Sequence, residues 1–317
     1  MSGVPLIESL FRPPWYLRNC HVQTILPVLG SRGVRPVFRR ERLELPDGDF
    51  LDLDWIGSGH KRLAILCSGL EGNSRDAGML RLAGSFEASG WDVLSWNYRG
   101  CSGELNRLVR SYHSGATEDL AAVVARAGGR PVALVGCSIG GNLVLKYLGE
   151  APPPENILAA AAISAPVDLA STARALDRKA GNRIYLRRLI ASLSAKVRAK
   201  AAAMPGRISL DGLTGLHGFE HFDDRYTAPM HGFLGAEDYW TKCSARQFLH
   251  GITVPTLFLS ARDDPFLTPE SFPFSEAADN PQIALEAPDH GGHLGFLDAD
   301  GFRIGSRVPG FLSRFVP

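Results

Sequence analysis

Residues 133–148, ALVGCSIGGNLVLKYL, hold a short apolar run, a corner framed by glycines and a helix-patterned stretch. An apolar run without polar alternation suits a strand buried on both faces, the habit of parallel sheets. Parallel strands need crossover connections, and the stretch after the corner supplies one. The rest of the chain repeats the unit. RLAILCSG, WDVLSWN, ILAAAAIS, VPTLFLSA and QIALEA read as further strands. ILAAAAIS is ambiguous by period alone, and its place in the alternation assigns it to strand. DAGMLRLAGSFEASG and GATEDLAAVVARAGG read as helices closed by glycine, and GFRIGSRVPGFLSRF ends the chain as another. Upstream, RPVFRRERLELP and FLDLDWIG form two strands with Asp47-Gly48 turning between them. The pattern predicts an α/β fold: a mostly parallel sheet with helices on both faces, in one domain across residues 1–317.

One segment breaks the alternation. Residues 168–251 contain no convincing strand. ARALDRKAGNRIYLRRLIASLSAKVRAKAAAMPGR is helical in pattern and strongly basic, and FDDRYTAPMHGFLGAEDYW follows, rich in aromatics and acids. This reads as a helical cap inserted within the domain, before the strand VPTLFLSA. The basic run is either a solvated helical face or a surface that attracts anionic lipid or an acidic substrate.

Composition narrows the class. Apolar residues make up 45% and charged residues 21%, and the net charge is +1. That balance gives no electrostatic pull toward nucleic acid. The five cysteines, Cys20, Cys67, Cys101, Cys137 and Cys243, are odd in number and include no CxxC pair. Neither a disulfide framework nor a structural zinc site is expected, and a reducing cytoplasmic setting is. The N-terminus lacks the pattern of a secretory signal, Ser2 excludes myristoylation, and no apolar run is long enough to span a membrane.

The corner contains Gly136-Cys137-Ser138-Ile139-Gly140, a G-x-S-x-G match in a strand–turn–helix setting. Such a turn exposes a serine hydroxyl at a helix N-terminus, where the dipole favours developing negative charge. The plain alternative is a serine helix cap. A serine becomes a nucleophile only when a histidine takes its proton, and that histidine needs a carboxylate to orient it. RDDPFLTPE follows the strand VPTLFLSA, and PDHGGHLGF follows QIALEA. Both fall at the sheet edge where Ser138 lies, the crevice in which open α/β sheets bind ligands. Asp264, stiffened by Pro265, is the candidate acid, with Asp263 and Asp168 as competitors. His293, after two glycines, is the candidate base, with His290 as its alternative. Leu70 in CSGLEGNS and Ile139 are the candidate backbone donors for an oxyanion. Cys137 reads as a small apolar residue packing behind the corner.

These segments, together with NCHVQTILP, WNYRGCSGE, YHSGATEDL and FDDRYTAPMHGF, resemble the YheT-like branch of the α/β-hydrolases, which includes membrane-anchored mammalian ABHD relatives. The resemblance runs over nearly the whole chain. It implies the α/β-hydrolase fold and a Ser-Asp-His triad at Ser138, Asp264 and His293. It also implies hydrolysis of carboxylic esters, with short acyl and lipid-like esters as substrates. One departure is visible: the loop after the third strand begins Ser68-Gly69, where these proteins usually carry His-Gly.

The expectation is therefore a serine ester hydrolase that needs no metal or organic cofactor and contacts anionic lipid at most peripherally. A hydrolase fold that binds or senses a ligand without turning it over is the alternative.

Overall fold

The computed structural model describes residues 7–29, 37–57 and 59–317. Eight strands form the main sheet: β1 (Arg39–Glu44), β2 (Phe50–Ile56), β3 (Leu63–Cys67), β4 (Asp92–Asn97), β5 (Val132–Cys137), β6 (Ile157–Ile163), β7 (Thr256–Leu259) and β8 (Ile283–Glu286). Their order across the sheet is β1-β2-β4-β3-β5-β6-β7-β8. β1 pairs antiparallel with β2, and β2 antiparallel with β4; every other pairing in this sheet is parallel. ILAAAAIS is a strand, as its place in the alternation predicts.

Alternate residues of β3 explain its unbroken apolar run. Leu63, Ile65 and Cys67 pack into the core on one face of the sheet, and Ala64 and Leu66 into the core on the other. Burying each leucine or isoleucine contributes about 2 kcal/mol. Of the covering helices, α1 (Cys20–Leu29) lies near the N-terminus, and α2 (Ala77–Ala88), α3 (Thr117–Ala125) and α4 (Ile139–Glu150) follow successive strands. α4 packs Leu143, Val144 and Leu148 on the β3 Leu63 face, while α2 packs Leu82 and Phe86 on the opposite face. β6 presents alanines on both faces, so its neighbours approach closely: a Cβ on Gly141 of α4 would lie 3.5 Å from Ala162 Cβ of β6, and 2.8 Å from Ala165 Cβ just beyond the strand.

Between β6 and β7 the described chain has no strand. It runs through α5 (Leu169–Arg178), α6 (Arg183–Ala203), α7 (Phe219–Phe222), α8 (Ala228–His231) and α9 (Ala236–Cys243), with a π-helical turn at Asp223–Thr227. These helices share an apolar core of their own, built from Leu169, Leu176, Val197, Phe222 and Trp240 among others. The basic run divides. Arg183, Arg187 and Arg198 of α6 are exposed, while Lys200 is 1% exposed and donates to Asn106 Oδ1, Ser111 Oγ and the carbonyls of Val109 and Arg110. Two further helices, α10 (Phe274–Asp279) and α11 (Ile304–Leu312), complete the set; α11 packs beside α2.

The parallel arrangement puts the C-terminal ends of β3, β5, β7 and β8 at one edge of the sheet. The loops that carry Leu70, Ser138, Asp264 and His293 all leave from that edge.

Candidate active site

Ser138 occupies the turn between β5 and α4 with φ 53° and ψ −124°, a region in which a side chain is strained. The flanking glycines follow from sterics. A Cβ on Gly136 would lie 2.2 Å from Gly140 O, and one on Gly140 would lie 2.4 Å from Cys67 O. No other residue fits either place without moving backbone. Ser138 N–H donates to Ile163 O at 2.8 Å, which pins the turn to β6. Cys137 beneath it is buried, and burial pushes its thiol up to about 12, far from a reactive thiolate.

His293 lies between Ser138 and Asp264. Its Nε2 is 3.0 Å from Ser138 Oγ and its Nδ1 is 2.8 Å from Asp264 Oδ2. A proton on Nδ1, donated to the carboxylate, leaves Nε2 free to accept the serine hydroxyl. The second oxygen of Asp264 accepts the Phe266 N–H at 2.9 Å, and the Phe266 ring lies over the imidazole with centroids 4.2 Å apart. Asp264 and His293 are both buried.

The competitors lie elsewhere. Asp263 accepts the Gly292 N–H at 2.9 Å and faces His290 at 3.3 Å, so these two side chains pair with each other. Asp168 caps α5 by accepting the Ser171 N–H at 2.9 Å.

The histidine loop is held by a segment to which sequence reasoning assigned no role. Gln23 of α1 is fully buried; its amide donates to Leu297 O at 2.8 Å and accepts Leu297 N–H at 2.8 Å. Thr24 Oγ1 accepts the His293 N–H at 2.9 Å. Gly292, at φ +55°, leaves no room for a Cβ, which would lie 2.4 Å from Cys20 O. NCHVQTILP is thus the buttress of the His293 loop. Only its presence as a recognisable segment pointed to it, because its partners lie about 270 positions away along the chain.

The loop after β3 closes against the serine. A Cβ on Gly69 would lie 3.4 Å from Ser138 Cβ. Ser68 is 1% exposed and its hydroxyl has no hydrogen-bond partner among the described residues. Leu70 and Ile139 line a cavity of about 120 Å³ whose wall also includes residues of the helices between β6 and β7. Leu169, Leu193, Phe222 and Trp240 contribute apolar wall. The wall also carries titratable groups: burial raises Asp223 to about 7 and drives His113 well below the usual histidine range, while Glu71 and Lys196 form an ion pair at 2.7 Å. Among the described residues, no group of three or more histidine, cysteine or carboxylate side chains is placed to hold a metal ion.

Residues 65–300 match the family model for the alpha/beta hydrolase fold. The chain belongs to that family. It is 37% identical to YheT of Escherichia coli (strain K12), a protein provisionally named an esterase, over 96% of this chain and 94% of that one. It is 29% identical to the phospholipase ABHD3 of Mus musculus over 93% of this chain and 75% of the relative. It is also 29% identical to the medium-chain fatty acid ethyl ester synthase/esterase 2 of Saccharomyces cerevisiae, over 75% of this chain and 58% of the relative. Among solved structures, a Pyrococcus furiosus esterase superposes with a TM-score of 0.59 at 17% identity, over 89% of this chain and 92% of the other. At that identity the likeness speaks for the fold alone.

Proposed function

We propose that this α/β-hydrolase cleaves carboxylic esters through an acyl-enzyme on Ser138. The observation that carries the reading is the pair of contacts made by His293, 3.0 Å to the serine hydroxyl and 2.8 Å to the Asp264 carboxylate. Ser138 Oγ attacks the ester carbonyl while His293 Nε2 takes its proton. Asp264 holds the imidazole tautomer and stabilises the imidazolium. The Leu70 and Ile139 N–H groups receive the oxyanion, a contribution of about 10²- to 10³-fold in kcat per donor. His293 then protonates the leaving alcohol, the tetrahedral intermediate collapses, and water repeats the sequence on the acyl-enzyme. The esterase and phospholipase names of the relatives agree with an ester substrate.

The cavity beside Leu70 and Ile139 is the proposed acyl site. At about 120 Å³ it is slightly smaller than an apolar cavity of about 150 Å³ that takes benzene. It therefore suits acyl chains of about four to eight carbons. Across p-nitrophenyl acetate, butyrate, octanoate and palmitate, kcat/KM is expected to peak at butyrate or octanoate. Palmitate should fall at least about tenfold below the peak. A palmitate optimum would remove the cavity from the mechanism, and no turnover on any member would favour a ligand-binding role.

The outer face adjacent to the site supports a peripheral lipid contact. Trp15, Tyr16, Val22, Ile25, Leu26 and Val28 are exposed, and α1 meets the start of α6 where His21 Nδ1 lies 3.0 Å from Tyr185 OH. Arg183, Arg187 and Arg198 line a groove on α6. Among the described residues no helix is long and apolar enough to cross a membrane. Aromatic and aliphatic side chains beside arginines suit an anionic bilayer surface. The protein is expected to co-sediment with phosphatidylserine vesicles at low salt and to dissociate as salt rises. Equal recovery with neutral vesicles at every salt concentration would reject the contact.

A further inference from the structure

We propose that Glu71 is a positioning residue of the oxyanion site, a carboxylate through which the α6 helix holds the loop that carries the Leu70 N–H. This rests on Leu70 serving as an oxyanion donor, as proposed above.

The loop is fastened at both ends. At Ser68 the carbonyl accepts the Tyr98 hydroxyl at 2.8 Å. At the other end Glu71 has φ 59°, where a residue with a Cβ is strained and persists only if its surroundings hold it. Four hydrogen bonds do so. Its N–H donates to Tyr112 OH at 2.7 Å, and the same hydroxyl donates to Glu71 Oε1 at 2.9 Å. Lys196 Nζ donates to Oε1 at 2.7 Å, and Ser192 Oγ donates to Oε2 at 2.8 Å. Tyr112 is itself fixed, stacked on Tyr98 with ring centroids 4.8 Å apart.

Lys196 and Ser192 both belong to α6, and neither touches Ser138, Asp264 or His293 through a hydrogen bond. The Lys196–Glu71 pair has side-chain exposures of 14% and 10%, so solvent and salt screen it weakly. The bonded Glu71 N–H shares its peptide plane with Leu70 C=O, so Glu71 fixes the C-terminal side of Leu70 and, through the φ and ψ of Leu70, biases the adjoining plane that carries the Leu70 N–H. An ion pair serving stability alone would not need a strained backbone next to the donor. The consequence is a coupling: the Leu70 N–H is aimed while α6 is seated and loses its aim when the two α6 bonds are lost.

The test uses the full chain as wild type, Glu71→Ala, Glu71→Gln, Lys196→Met, Ser192→Ala and the Glu71→Ala/Lys196→Met double variant. Two quantities are read: kcat and KM on p-nitrophenyl butyrate, and inhibition by a trifluoromethyl ketone whose serine adduct puts its oxyanion where the transition state does. Glu71→Ala and Lys196→Met are expected to lower kcat about 10- to 100-fold with KM within about twofold. The ketone should weaken by the same factor. Glu71→Gln, which keeps one acceptor oxygen, should recover part of the loss, and the double variant should be no worse than Glu71→Ala. Ser192→Ala changes an exposed residue and cannot unfold the protein, so its smaller kcat loss carries the test if Glu71→Ala fails to fold. Wild-type kcat in Lys196→Met and Ser192→Ala, a loss confined to KM, or effects that multiply in the double variant would each overturn the proposal. Failure of the underlying reading is distinguishable: with Ser138→Ala measured alongside, retained turnover in that variant would remove the acyl-enzyme, whereas a kcat loss in Glu71→Ala and Lys196→Met with ketone inhibition at the wild-type level would remove Leu70 as an oxyanion donor.

Discussion

Ser138→Ala and His293→Ala are each expected to lower kcat by about 10⁴- to 10⁶-fold, and the double variant by no more than either alone. The expectation follows from the geometry of a single proton path. Without the imidazole 3.0 Å from its oxygen, the serine hydroxyl has no base to activate it. Without the hydroxyl, the imidazole has nothing to activate that is fixed near the proposed oxyanion donors. Two groups that act as one unit lose their whole joint contribution when either is removed, so the effects cannot add. Steady-state kinetics on p-nitrophenyl butyrate checks this. Effects that multiply in the double variant would mean the two residues act independently, and the acyl-enzyme mechanism would fail.

The second large effect separates two adjacent carboxylates. Asp264→Asn is expected to lower kcat by about 10³- to 10⁴-fold, because an amide at this position can no longer hold the imidazole in the tautomer that leaves Nε2 free. Asp263→Asn should stay within about threefold of wild type, since Asp263 meets His290 and the Gly292 N–H rather than His293. Measuring both variants on the same ester decides between them. A larger loss in Asp263→Asn would transfer the orienting role to that residue and contradict the Asp264 assignment.

That pair also marks where the sequence stops being informative. Asp263 and Asp264 share a loop and a chemistry, and only the path of the backbone aims one at His293 and the other at Gly292. The Ser138 corner was far more legible. Its constraint is local, since the chain cannot turn there unless positions 136 and 140 lack a side chain, and that requirement is written into five consecutive residues. The alternating strands and helices were legible for the same reason, because burial on both faces of a parallel sheet demands continuous apolar runs. The buttress at Gln23 and Thr24 and the bonds to Glu71 were not legible as contacts. They join residues 41 to 274 positions apart through polar side chains that have no periodicity. The basic run was half legible: its charge was plain, but the sequence did not reveal that Lys200 turns inward while Arg183, Arg187 and Arg198 face out.

The central claim is that Ser138 is an activated nucleophile, and it can be tested without knowing the natural ester. The full chain would be treated with a fluorophosphonate, which reacts with activated serines, and the adduct read by intact mass and peptide mapping. The account predicts one adduct per chain, located on Ser138, absent from Ser138→Ala and formed far more slowly in His293→Ala. No adduct on wild-type protein, or an adduct on another residue, would contradict it.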